Sequence, residues 1–211
     1  MLFALVSFAL DLPDMILGPA ASRPRLAVLI AALTSVGALA CGNLTAVPAS
    51  LPTLTDSGTV YALNGAPAGA PTALHFFSGQ LVPADANFLF DIAFDIDSIG
   101  RVVYMPQRVV ASALASTHSV GLRTLPDSFE AVTTAPKTGY RADTSLVTAR
   151  NVVVVAQSQD VSTCGVSLTG STLYAKIVVT SVDRATRQLK VRFTVDPNCG
   201  FVSFAPGIPK E

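Results

Sequence analysis

Two histidines, His75 and His118, are the side chains in this chain best suited to proton transfer near neutral pH. A hydrolase of the Ser-His-Asp kind needs one of them beside a serine and a carboxylate, a proximity that a linear sequence does not display. His75 stands next to Phe76 and Phe77, and His118 follows a run of Ser, Thr and Ala. For each, a hydrogen-bonded structural role is the simpler expectation, with catalysis as the alternative. Asp91 and Asp95 could pair for acid–base work, but their spacing in NFLFDIAFDID places them on a solvated strand face. Asp95-Ile96-Asp97-Ser98-Ile99-Gly100 has the opening spacing of a calcium loop. Ile99, however, stands at a ligand position, and Pro106 stands where the closing glutamate belongs. The polar residues of a hairpin turn account for it better. HExxH, SxxK, CxxC and phosphate-cradling glycine motifs are missing. Gly165-Val166-Ser167-Leu168-Thr169 fails as a nucleophile elbow because Thr169 replaces the closing glycine. The expectation is therefore no catalytic residue, no metal and no cofactor.

The cysteines say more. There are three, an awkward number for an exported protein unless one has a separate fate. Arg23 and Arg25 precede an uncharged stretch from Leu26 to Ala40. Those about fifteen residues would span roughly 22 Å as a helix, short of a hydrocarbon core of ~30 Å. An export signal fits better than a permanent membrane span. Ala38, Leu39 and Ala40 form the small-residue cleavage site, and Cys41 follows it directly.

This arrangement resembles the signal of bacterial lipoproteins, in which the cysteine after the cleavage site receives a diacylglycerol. Ala38 departs from the pattern, where a larger aliphatic residue is commoner. Because Ala38-x-Ala40 also suits ordinary signal peptidase, free secretion stays open. Gly42, rather than Asp, follows the cysteine; the resemblance then implies the outer membrane, facing periplasm or surface. The resemblance covers only the leader and Cys41. With Cys41 lipidated, Cys164 and Cys199 remain as a pair that an oxidising compartment would close into a disulfide; unpaired small core residues are the alternative. Residues 1–22 carry Asp11, Pro13 and Asp14 ahead of the arginines, an unusual leader, so translation from Met15 is an expectation.

Composition narrows the partners. Fourteen basic residues balance fourteen acidic ones, and removing Asp11, Asp14, Arg23 and Arg25 keeps that balance. No basic excess is present to neutralise phosphates, which argues against nucleic acid. The membrane, through lipid on Cys41, and an envelope protein are the expected partners. Tryptophan is absent.

The elements that would position these residues are short strands. The expected organisation is a signal over 1–40, a lipidated tether over 41–56 reaching on the order of 20 Å, and a β domain over 57–211. Strands are predicted at 59–63, 72–82 (with a bulge at Gly79), 87–97, 101–105, 119–125, 140–147 and 151–157. In 87–97, Phe88, Phe90, Ile92, Phe94 and Ile96 share one face by a period of two. Residues 109–117 are mixed in character, and 128–132 suit one helical turn capped by Asp127. The valine run from Val152 to Val155 suggests burial on both faces. Leu173, Ala175, Ile177 and Val179 alternate with Tyr174, Lys176, Val178 and Thr180, and a similar alternation follows a turn at 183–188. This predicts a long hairpin with one wet face. Cys164 precedes it and Cys199 follows it. Eight to ten such strands give an all-β domain, an antiparallel sandwich or barrel-like fold.

Overall fold

A hairpin of alternating apolar residues, with a turn-forming Asp183–Gln188 link, provides the longest ladder among the described residues. In the computed structural model, which describes residues 48–85, 89–111, 118–164 and 171–210, it comprises β10 (Leu173–Asp183) and β11 (Gln188–Asp196). Their register shifts between Val179 and Ser181, a bulge that leaves Thr180 unpaired. The remaining strands are β1 (Leu54–Tyr61), β2 (Ala73–His75), β3 (Gln80–Val82), β4 (Ile92–Ile96), β5 (Val102–Pro106), β6 (Ser119–Leu125), β7 (Arg141–Ala142), β8 (Leu146–Thr148) and β9 (Val153–Gln159). They form two antiparallel sheets, ordered β1-β11-β10-β9-β6-β7 and β3-β2-β4-β5-β8. Among the described residues the strands do not close into a barrel, so the all-β domain is an open sandwich. Residues 1–47, including Ala38, Leu39, Ala40 and Cys41, lie outside the described residues.

The inner faces of both sheets meet in one core. Leu74, Phe76, Ile92, Phe94 and Tyr104 from the small sheet pack against Val154, Ala175, Ile177, Leu189 and Phe193 from the large one. Burying a side chain of this size stabilises by roughly 1.5–3 kcal/mol, so this layer dominates the fold. The Phe94 and Tyr104 rings meet edge-on with centroids 5.6 Å apart.

A second core covers the outer face of the large sheet, and here the expected wet face of the hairpin is overturned. Tyr174, Lys176 and Val178 are buried. Phe129, Val132 and Ala135 from the β6–β7 connection and Phe204 from the C-terminal segment lie over them and over Val153 and Val155. Local alternation could not show this, because the cover comes from segments with no periodicity of their own. The predicted two-sided burial of the valine run is observed: Val153 and Val155 face the outer core, and Val154 faces the inner one.

Four further expectations are corrected. The first strand begins at Leu54, so the last residues of the expected 41–56 tether lie in β1, paired with Val195 to Phe193. Ahead of it, Ser50 and Leu51 N–H groups donate to Asn198 Oδ1, each at 3.0 Å. The 72–82 strand is a hairpin, β2 and β3, and Gly79 is a turn residue at φ +62 rather than a bulge. The 140–147 strand divides: β7 joins the large sheet and β8 the small one. Asp143 stands at the crossing with φ +49, accepting from Val120 N–H at 3.0 Å and from the Ser119 hydroxyl at 2.9 Å. The turn at 128–132 is capped by Ser128, whose Oγ accepts from Ala131 N–H at 3.3 Å, not by Asp127. In the 109–117 stretch the end of a one-turn helix, Gln107–Val110, and its C-cap Ala111 are described, and residues 112–117 lie outside the described set.

Candidate functional site

The 87–97 alternation fails at its start, and that failure makes the site. Strand β4 begins only at Ile92. Phe90 turns to the outer face of the small sheet, beside Ala73 and Ala93, while Phe88 lies outside the described residues. Asp91, expected on a solvated face, is fully buried. A buried carboxylate requires donors, and among the described residues Asp91 has three partners. Its Oδ2 accepts from Phe76 N–H at 2.6 Å, and its Oδ1 accepts from the Ser158 hydroxyl at 2.5 Å. His118 Nε2 lies 2.8 Å from the same Oδ1.

Each partner is placed by a different element. Phe76 follows β2 and Asp91 precedes β4, both in the small sheet, whereas His118 precedes β6 and Ser158 belongs to β9, in the large one. Gln107 braces the assembly: its N–H donates to the Asp91 carbonyl at 3.0 Å, and its Oε1 accepts from His118 N–H at 3.1 Å. The cluster thus bonds one end of the sandwich across its two layers. Asp160 lies nearby and caps a one-turn helix, Val161–Cys164, its Oδ1 accepting from Thr163 N–H at 3.1 Å.

Burial disfavours a charged His118 ring, but the Asp91 hydrogen bond and the charges of Asp91 and Asp160 outweigh it and Arg108. The net effect holds the His118 pKa above the ordinary histidine value. The ring is therefore stabilised as an imidazolium against a carboxylate. Among the described residues, Ser158 is not placed as a nucleophile for His118. A serine nucleophile must give its proton to an imidazole nitrogen, and the Ser158 hydroxyl donates to Asp91 instead. What the arrangement can do is lock two sheets and respond to a proton.

The other expected site residues are dispersed. His75 Nδ1 and Ser78 Oγ share a hydrogen bond of 2.9 Å within the β2–β3 turn. Asp95 does not pair with Asp91; it accepts from Arg187 Nη2 at 2.7 Å. Arg187, in the β10–β11 turn, also donates to the Asn64 carbonyl at 2.6 Å, so a second tie joins the sheets at the opposite end. The calcium-like turn is filled by protein donors: Asp97 Oδ1 accepts from Ile99 and Arg101 N–H, and Oδ2 from Arg101 Nε. Among the described residues no cluster of His, Cys, Asp and Glu could hold a metal. Cys164 and Cys199 are bonded, with Cα atoms 5.7 Å apart.

Sequence reasoning missed Asp91 and Ser158 as partners of His118. The one available signal was a carboxylate set between Phe90 and Ile92, where a buried acid needs partners as much as an exposed one needs water.

Fold and site together define a class: a two-sheet antiparallel β-sandwich, disulfide-bonded, with a buried Asp-His-Ser hub at one end. Comparison with protein families, with curated proteins and with solved structures finds no match to the chain.

Proposed function

We propose that the chain is an exported bacterial envelope protein, held to the outer membrane by lipid on Cys41, whose β-sandwich acts by binding or as a structural part and not by catalysis. The observation that carries this reading is the Cys164–Cys199 bond. Disulfides persist outside the reducing cytoplasm, and with these two joined Cys41 is the remaining cysteine. It directly follows an uncharged stretch of signal length. The Ser158 geometry speaks against a hydrolase built on His118, and His75 serves a turn.

The test is fractionation of the full chain and of Cys41→Ala in a bacterial host, with metabolic labelling by a fatty acid. The expected result is labelled wild-type protein in the outer-membrane fraction and unlabelled variant released from it. Unlabelled wild-type protein, cut after Ala40 and soluble in the periplasm or medium, would reject the anchor in favour of a secreted domain. Uncut protein in the cytosol would reject export itself.

A further inference from the structure

A cleft of about 450 Å³ opens on the outer face of the large sheet, between β1, β10 and β11, the β6–β7 connection and the C-terminal segment. Its volume falls within the ~300–1,000 Å³ typical of small-molecule pockets. Lys176 lines it and is only 5% exposed. Two of its three ammonium protons go to the carbonyls of Phe129 and Val132, each at 2.8 Å. Among the described residues no carboxylate lies within 4.0 Å of Lys176 Nζ. The Phe129 and Phe204 ring centroids lie 4.4 and 5.8 Å from the ammonium. Glu130 acts on it only from a distance while paired with Arg192, so a buried charge that is as a rule paired has no contacting anion here.

The rest of the lining completes the pattern. Thr55 and Thr194 hydroxyl oxygens lie 2.8 Å apart. Whichever donates, the accepting hydroxyl keeps its own proton for a further acceptor. Arg192 is paired with Glu130, itself largely exposed, so their charges offset and the lining carries about one net positive charge, that of Lys176. Phe129 and Phe204, both buried, present ring edges to the cleft, while the Lys176 ammonium and the Arg192 guanidinium each lie 4.4 Å from the Phe129 centroid.

We propose that this cleft binds an organic carboxylate, its head against the Lys176 ammonium and the Thr55–Thr194 hydroxyls, its apolar body along Phe129 and Phe204. The single net charge matches a monoanion better than a phosphate dianion, and the aromatic ring edges suit a ligand with an apolar part. Burial and the Arg192 charge hold the Lys176 pKa below its ordinary value; an anion at Nζ would raise it. The site stands apart from the lipid-anchor reading and does not depend on it.

Benzoate, benzamide and inorganic phosphate, titrated into the full-length protein in detergent and followed by NMR, test this. Benzoate should shift the signals of Thr55, Thr194 and Phe129 with an affinity on the order of 1 mM or tighter. Lys176→Met should weaken it tenfold or more, and Thr194→Val severalfold. N-acetylphenylalanine and a hexapeptide ending in phenylalanine distinguish a free acid from a chain terminus: tighter peptide binding assigns the terminus, and equal or weaker binding the free acid. No benzoate binding, equal binding of benzamide, or tighter binding of phosphate overturns the proposal. Should Lys176→Met fail to fold, unchanged benzoate affinity in Thr194→Val and Arg192→Gln together overturns it as well.

Discussion

His118 Nε2 and Asp91 Oδ1 meet at 2.8 Å across 27 residues of sequence and across the two sheets of the sandwich. One carboxylate oxygen receives both this ring and the Ser158 hydroxyl, while the other receives a backbone N–H. Removing Asp91 leaves all three groups without their shared acceptor. The stability of this end of the domain is thereby concentrated in a single side chain.

Asp91→Ala is expected to cost about 3–5 kcal/mol, the usual loss when one partner of a buried charged network is deleted. Urea denaturation of the oxidised domain measures it. A loss below about 1 kcal/mol would mean that the three donors find other acceptors and that the hub carries little.

The pair also predicts a pH dependence. The His118 pKa is raised on folding, above the unfolded value of about 6.5. Its contribution is therefore complete below about pH 6.5 and is lost as pH rises through the folded value, where the native state is the one binding more protons. Wild type should exceed His118→Gln in Tm by a wider margin at pH ~5.5 than at pH ~9. A margin that stays flat, or widens toward alkaline pH, contradicts a stabilised imidazolium.

The Cys164–Cys199 bond closes a loop with a sequence separation of 35. The chain-entropy relation puts its contribution at about 3–4 kcal/mol. Cys164→Ser with Cys199→Ser, compared with the oxidised wild type by thermal and urea unfolding, should show a loss of that order. Equal stability with and without the bond would show that native packing alone holds the ends of β10 and β11.

Gly79 and Gly69 both sit at positive φ, +62 and +74. A Cβ on Gly79 would lie 3.1 Å from both Leu54 Cδ1 and Val195 Cγ2, whereas one on Gly69 would meet nothing within 4 Å. Gly69→Ala should cost about 1–2 kcal/mol from backbone conformation alone, and Gly79→Ala more because Leu54 or Val195 must also shift. Equal losses in the two variants would remove the packing term.

Where a segment's burial follows from its own alternation, its structure was legible beforehand. The β10–β11 hairpin follows from period-two patterns, the two-sided burial from a continuous valine run, and the all-β architecture from short strand patterns along the domain. The bulge that shifts the hairpin's register at Thr180 had no such signal. The pairing of Cys164 with Cys199 was expected from the cysteine count and from a separate fate expected for Cys41.

The tertiary structure alone decided what covers each face and which distant polar groups meet. Lys176 alternates as an outward residue and is outward, yet Phe129 and Phe204 arrive from unpatterned segments and bury it. Asp91 falls one residue before β4, and the start of a strand depends on pairing with another chain segment, not on local pattern. Contacts with Phe76, His118 and Ser158 span 15, 27 and 67 positions. The sequence by itself therefore determined the all-β character of the domain, the long hairpin and the inward face of that hairpin. The packing of one sheet on the other determined the hub, and the unpatterned segments laid over the outer face of the large sheet determined the cleft, because desolvation and hydrogen bonding act between neighbours in space, whatever their distance along the chain.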